Sequence, residues 1–314
     1  MTGIRIFSGR SNPKFAEQIS QYLGVPLGER VLADFPDGEI QLKLADDVRG
    51  SDAFIVQATC PPVNTNLIEL LICIDAMKRS SARRITAVMP YFGYARQDRK
   101  DEGRVPITAK LVANLLTVAG ASRVLTLDLH AHQIQGFFDI PVDNLSAEPV
   151  FSAHLPKMVE GPLTLVSPDV GNVKRARVYA SRLGGELAII DKQRVSGAEI
   201  KPMNIIGDVK DKTVLMVDDM ISTGGTVAKA SELVRRHGAR QIIVAATHAV
   251  FARDAAEVLA NAPIDHISVT DTIPIQPHVR ERLPNLTVLS VSELMGEAIR
   301  RIHRHESVSS LFMK

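Results

Sequence analysis

Lys212 to Thr226 reads KTVLMVDDMISTGGT. An apolar run ends in Asp218 and Asp219, passes through Ser222, Thr223, Gly224 and Gly225 to Thr226, and opens the helical pattern AKASELVRRHG. Two glycines at the mouth of a helix let backbone N–H groups approach an oxyanion. The helix N-terminus favours negative charge, and Thr223 and Thr226 add hydroxyl donors. That combination makes a phosphate cradle. Two carboxylates beside a phosphate would repel it, so Asp218 and Asp219 are better used as acceptors for sugar hydroxyls, with a cation able to sit nearby. The segment therefore reads a sugar and its phosphate together. The competing reading is a turn whose acids and threonines only cap the helix, which suffices for an arbitrary Asp-Asp or Thr-Gly-Gly pair. The full string carries more than that. No Lys follows the glycines as GxxxxGK[ST] requires and no GxGxxG is present, so Walker-loop and dinucleotide-fold readings fall.

Other residues could take part in phosphate chemistry. Leu125 to Leu129 leads into His130 and His132, and Leu163 to Ser167 leads into Asp169. A neutral imidazole and a carboxylate at strand ends can hold one divalent ion, and Mg²⁺ takes few protein ligands when nucleotide phosphates supply the rest. Arg96 and Gln97 follow a glycine-containing aromatic turn; a planar guanidinium suits phosphate and an amide suits a purine edge. Lys192 and Arg194 stand at the root of a polar stretch without helical or strand period, VSGAEIKPMN, which suits a lid carrying two cations. FPDGE at 35–39 reads as a turn entering a strand, Asp-Gly being a common turn pair. Each of these taken alone is also compatible with a solvated loop.

The elements that must position these groups alternate short β-branched runs with longer stretches of helical period, the pattern of parallel βαβ units and an α/β fold. Strands are expected near 4–7, 53–57, 85–89, 124–127, 163–167, 187–190, 214–218, 242–246, 266–269 and 286–289. Helices are expected at, among others, 13–23, 66–79, 106–118, 171–183, 226–237 and 253–260. IRIFSGRSNPKFAEQISQYLG and LTLVSPDVGNVKRARVYASRLG both run from strand through a Ser-containing loop to a helix closing on Leu-Gly. This predicts a duplicated domain, 1–146 and 147–314, each a mostly parallel sheet flanked by helices. A length of 314 residues with 45% hydrophobic side chains supports two cores of that size.

The net charge of +2, from 37 basic and 35 acidic side chains, leaves no global field for a nucleic-acid backbone. Cys60 and Cys73 make no disulfide framework and have no CxxC spacing, which fits a reducing cytoplasm. The start MTGIRIFSGRSNP lacks the apolar core of a signal peptide. Leu67 to Met77, the most apolar stretch, carries Glu69 and Asp75, so no membrane span is expected.

VDDMISTGGT resembles the phosphoribosyl-diphosphate loop of the type I phosphoribosyltransferase fold. FPDGE, YFGYARQDRK at 91–100, TLDLHAHQIQGFF at 126–138, SPDVGNVKRA at 167–176 and DKQR at 191–194 extend that to a resemblance, essentially end to end, to ribose-phosphate diphosphokinases. The resemblance implies transfer of the diphosphoryl group of ATP to the anomeric hydroxyl of ribose 5-phosphate, giving phosphoribosyl diphosphate and AMP. It assigns Lys192 and Arg194 to catalysis and Phe35, Asp37, Gly38, Glu39, Arg96 and Gln97 to ATP. Asp218, Asp219 and the 222–226 loop fall to ribose 5-phosphate, and His130 and Asp169 to Mg²⁺. His132 is left a supporting role, and no general base can be named. A homohexamer built from dimers is implied, with the 35–39 turn reaching across an interface toward Arg96, Gln97 and His130 of a neighbour. Arg49, the Ser80-Ser81 pair, Ser307 and Ser309 resemble a regulatory phosphate or ADP site. Ser222 where Asp is common, Gln193 where Arg is frequent, and Asp47 where an uncharged residue is usual depart from the family pattern. Two other activities compete: a non-catalytic regulatory relative, against which the retained Lys192, Arg194, His130 and loop acids argue, and a transferase acting on a base, which would release diphosphate instead of AMP.

Overall fold

The computed structural model describes residues 3–168, 170–191 and 204–311. These divide into two compact units, Met1–Ser146 with Thr272–Pro274 and Ser290–Lys314, and Ala147–Asp271 with Ile275–Leu289. Each is an α/β unit built on a parallel sheet flanked by helices, the expected class.

In the first unit, β1 (Ile4–Ser8) leads into α1 (Pro13–Leu23), then β2 (Arg30–Asp34) and β3 (Ile40–Leu44). β4 (Asp52–Val56), α2 (Val63–Arg79), β5 (Arg84–Met89), α3 (Thr108–Ala119), β6 (Arg123–Leu127) and β7 (Val142–Leu145) follow. The sheet runs β1-β4-β5-β6-β7, all parallel, with β2 and β3 paired as a separate antiparallel ribbon. β4 is buried along its whole length, as a strand covered on both faces must be. Leu70, Ile74 and Met77 of α2 join Phe7 and Ile55 in the core, each contributing about 1.5–3 kcal/mol by burial. Cys60 and Cys73 are buried and unbridged.

The second unit begins with α4 (Glu148–His154). It continues through β8 (Leu163–Ser167), α5 (Val173–Leu183), β9 (Glu186–Asp191), β10 (Asn204–Ile206), β11 (Thr213–Ile221), α6 (Gly225–Arg236), β12 (Gln241–Ala249), α7 (Ala255–Ala260), β13 (His266–Thr270), α8 (Pro277–Arg282) and β14 (Leu286–Leu289). Its sheet order is β10-β9-β8-β11-β12-β13-β14, parallel except for the β10–β9 pair. The run β8-β11-β12-β13-β14 repeats β1-β4-β5-β6-β7 in connectivity and direction, so the internal likeness read in the sequence extends to whole-sheet topology. The shared Leu-Gly is a helix stop in both copies: Gly24 and Gly184 take φ 63° and 71°, the left-handed conformation that ends α1 and α5 at little steric cost.

The last helix, α9 (Ser292–Arg304), returns to the first unit and packs on α1. The first unit thus contains Ser290–Lys314, which the division at 146 placed with the second. Gly296 permits the close approach, since a Cβ there would lie 2.7 Å from the Tyr22 ring. The Tyr22 hydroxyl donates to Glu297 at 3.0 Å. No described helix is long and apolar enough to cross a membrane.

Candidate active site

β11 is the site's main support. Val214 to Val217 are buried, and Asp218 and Asp219 follow them in the C-terminal part of the strand, beyond its pairing with β8 but still beside β12, toward the edge where open parallel sheets bind ligands. The backbone N–H of Asp219 donates to Oδ1 of Asp218 at 2.8 Å. Asp219 is buried and Asp218 half-buried. Burial, reinforced by the neighbouring Asp219 charge, raises the Asp218 carboxyl above the usual carboxylate range, and Arg175 on α5 pulls the other way. Arg175 lies 4.0 Å from the Asp219 carboxylate. Two adjacent acids late in a strand attract a hydroxyl donor or a cation.

The loop that follows is pinned. Gly224 takes φ 76°, and Gly225 opens α6. The N–H of Ala252 donates to Ser222 O at 2.9 Å, and that of Phe251 to Ile221 O at 3.1 Å. Thr223 and Thr226 face solvent, and a Cβ on Gly225 would meet nothing closer than Thr223 Oγ1 at 4.0 Å. The N-terminus of α6 is therefore open to an incoming anion. Ser222, the departure from the family pattern, uses its backbone carbonyl to hold the loop.

Asp169, Lys192, Gln193 and Arg194 lie outside the described residues. The strands that precede them, β8 and β9, end at the same sheet edge as β11.

In the first unit β5 and β6 also run parallel, so the segments after them emerge at one edge. After β5, Arg96 and Gln97 are exposed. The backbone there is tightly turned: Tyr94 has φ 64°, and a Cβ on Gly93 would lie 2.5 Å from Thr59 O. Gln97 is tied to the start of α3, its O accepting the Ala109 N–H at 3.1 Å and its side-chain Oε1 accepting the Thr108 hydroxyl. After β6, His130 is exposed, and the adjoining Leu129 N–H donates to Asn144 Oδ1 at 3.1 Å. His132 Nδ1 lies 3.4 Å from Asn144 Nδ2.

Phe35 to Glu39 is the tip of the β2–β3 ribbon, closed by Phe35 N–H to Glu39 O and Gly38 N–H to Phe35 O, both 2.8 Å. Gly38 has φ 91°, and the five residues are exposed, with Phe35 45% accessible. The expected turn is present, with its ring and carboxylates facing outward.

Among the regulatory candidates, Ser81 has φ 63° and its carbonyl accepts the Gly50 N–H at 2.9 Å, which brings the 49–50 and 80–81 segments together. The Asp47 carboxylate caps the Arg49 N–H at 2.9 Å. Ser307 O accepts from Arg301 at 2.9 Å, and the Ser307 hydroxyl accepts the Ser309 N–H at 3.2 Å. The preceding end of α9 docks on the sheet's N-terminal edge, where His303 Nδ1 meets Asp52 at 2.9 Å and His305 meets Arg84 at 3.4 Å.

Asn172 and Arg175 also shape β11, beyond what the sequence pattern marks. Asn172 Nδ2 donates to Val217 O at 2.7 Å, holding the residue before Asp218. Both lie within SPDVGNVKRA, but a contact across 45 positions has no mark in local pattern.

Comparison with known proteins decides the family. Residues 4–120 match the model of the N-terminal domain of ribose phosphate pyrophosphokinase, and residues 192–313 match the phosphoribosyl synthetase-associated domain. The ribose-phosphate pyrophosphokinase of Rhodopirellula baltica is 56% identical over 315 residues, covering 99% of both chains. The chain belongs to the ribose-phosphate pyrophosphokinase family. Members from Thermotoga maritima and Campylobacter jejuni are 54% and 52% identical over 98% and 100% of both chains. The crystal structure of phosphoribosylpyrophosphate synthetase from Mycobacterium smegmatis superposes with a TM-score of 0.91 at 42% identity, covering 97% of this chain and 100% of that one.

Proposed function

We propose that this chain is a ribose-phosphate diphosphokinase, moving the β,γ-diphosphoryl group of ATP to the anomeric hydroxyl of ribose 5-phosphate and releasing AMP. The observation that carries this reading is the β11–α6 junction, paired acids late in a strand followed by an open, glycine-lined helix N-terminus, in a chain 56% identical to a family relative over 99% of both. Asp218 and Asp219 accept from the sugar hydroxyls, while Ser222, Thr223, Gly224, Gly225 and Thr226 cradle the 5-phosphate. Phe35 stacks on the base, with Asp37, Gly38 and Glu39 beside it, and Arg96 and Gln97 bind phosphate and purine. The exposed His130 imidazole, paired with Asp169, has the donor chemistry for Mg²⁺ completed by nucleotide phosphates; among the described residues no cluster of three or more His, Cys, Asp or Glu forms a self-sufficient cage. The ion would neutralise phosphate charge. Lys192 and Arg194 stabilise the transferring group, and positioning does the rest, since such transfers need little covalent help.

We further read the chain as a cytoplasmic homo-oligomer, a homohexamer built from dimers, in which the 35–39 turn serves a neighbour's nucleotide site. Supporting this, all five residues of the turn are exposed. Domains 1–146 and 147–314 remain the division by function, nucleotide and assembly in one and the sugar in the other. Arg49, Ser81, Ser307 and Ser309 are proposed as a regulatory anion site. The test is incubation with ATP, Mg²⁺ and ribose 5-phosphate and identification of products by mass. AMP together with phosphoribosyl diphosphate is expected; their absence across varied phosphate and metal conditions overturns the assignment.

A further inference from the structure

Among the described strands, β2 and β3 pair only with each other. A two-stranded ribbon is marginal alone, so its direction is set by what anchors it. Its root is held by Leu42 and Leu44 against the core, by the Arg30 guanidinium on Ser8 O and Gly9 O, and by the Glu29–Asp46 contact. Its far end is held differently. Arg10, in the loop between β1 and α1, donates through both terminal nitrogens to Asp34, at 2.8 and 2.9 Å. Asp34 is the last residue of β2, immediately before the Phe35 tip.

Arg10 is itself fixed from below. Its Nε donates to Glu69 Oε2 at 2.5 Å and its backbone N–H to Glu69 Oε1 at 2.6 Å. The Glu69 side chain on α2 is only 1% exposed and also accepts from Gln57 Nε2 at 2.9 Å. Gln57 Oε1 in turn accepts the Ser11 N–H at 3.1 Å. A guanidinium spreads its donors in one plane, so it can serve the buried and the exposed carboxylate at once, whereas an ammonium cannot hold both in that fork.

We infer that Arg10 is a positioning residue for the nucleotide site, a two-ended clamp that ties the 35–39 tip, through Asp34, to the buried Glu69 carboxylate. This rests on the reading of 35–39 as a nucleotide-binding turn. Arg10 touches no substrate; it restricts the angles from which the tip can meet a base.

The test uses the full-length enzyme with Asp34→Asn, which releases the exposed arm and leaves the buried pair intact, and Arg10→Lys, which keeps the charge beside Glu69. Both should raise KM for ATP about three- to tenfold, with kcat within twofold and KM for ribose 5-phosphate unchanged. Amide hydrogen exchange over 31–43 should quicken, while exchange in β4 and β5 stays as in the parent. Loosened exchange with an unchanged KM for ATP overturns the positioning role, and unchanged exchange overturns the clamp. Phe35→Ala separates the two layers. If it too leaves KM for ATP unchanged, the nucleotide reading of the turn has failed; if it raises KM while Asp34→Asn does not, only the clamp has failed.

Discussion

Asp218 accepts the backbone N–H of Asp219 through Oδ1 at 2.8 Å, so two consecutive acids sit side by side late in β11. Burial and the Asp219 charge raise the Asp218 carboxyl above its unfolded value. A carboxyl raised on folding binds its proton more tightly in the native state, so stability falls as pH climbs from the ordinary carboxylate range toward the raised value. Asp218→Asn should therefore melt higher than the parent at pH 8, by about 2–4 °C for each kcal/mol of relieved repulsion, with the advantage shrinking toward pH 5. Thermal scans at both pH values decide it, and a variant less stable at pH 8 contradicts the repulsion. The same carboxylate is proposed to accept from the sugar, so Asp218→Ala should weaken ribose 5-phosphate by about 1–3 kcal/mol, read as the rise in its KM.

Lys192→Ala should lower kcat by about a hundredfold or more, with ATP affinity little altered, if its charge acts on the transferring group in the transition state as proposed. Direct ATP binding beside single-turnover rates separates the two effects. Loss of ATP affinity with kcat intact would assign Lys192 to ground-state binding.

The two loop glycines should part company. Alanine at Gly224 is forced to φ 76° with its Cβ 3.1 Å from Leu259, so Gly224→Ala should cost about 1–2 kcal/mol of stability. Alanine at Gly225 meets only Thr223 Oγ1 at 4.0 Å, so Gly225→Ala should melt like the parent while weakening sugar-phosphate binding, the methyl standing where the anion approaches. Equal melting losses in both variants would show that the loop's role is packing.

The nucleotide site proposed to span two subunits predicts complementation. Asp37→Ala/Glu39→Ala subunits, co-assembled with Arg96→Ala subunits, should recover partial activity because some interfaces combine two intact halves. Mixed oligomers verified by mass that stay as inactive as either parent would place the site within one chain.

Much of this architecture was legible in the sequence because parallel strands buried on both faces are continuous apolar runs. α1 appears with the expected ends, 13–23, since Pro13 and Gly24 mark its start and stop chemically. β2, β3, β7 and β10 carried weaker marks: β7 is VDNL, with two polar residues in four, and β2 and β3 are half-exposed. The paired acids and the glycine loop are local in sequence and were legible as a site. Asn172 on Val217 and Arg10 on Asp34 were not, because tertiary folding alone brings residues 45 and 24 positions apart together.

The return of α9 to α1 has a consequence for biogenesis. During synthesis α1 emerges early, but Met295, Ala298, Ile299 and Ile302, the buried face of its partner helix, leave the ribosome only after every strand of the second unit. The first unit, although begun first, can be closed only last, and until then the unpartnered side of α1 is a surface for chaperones to cover.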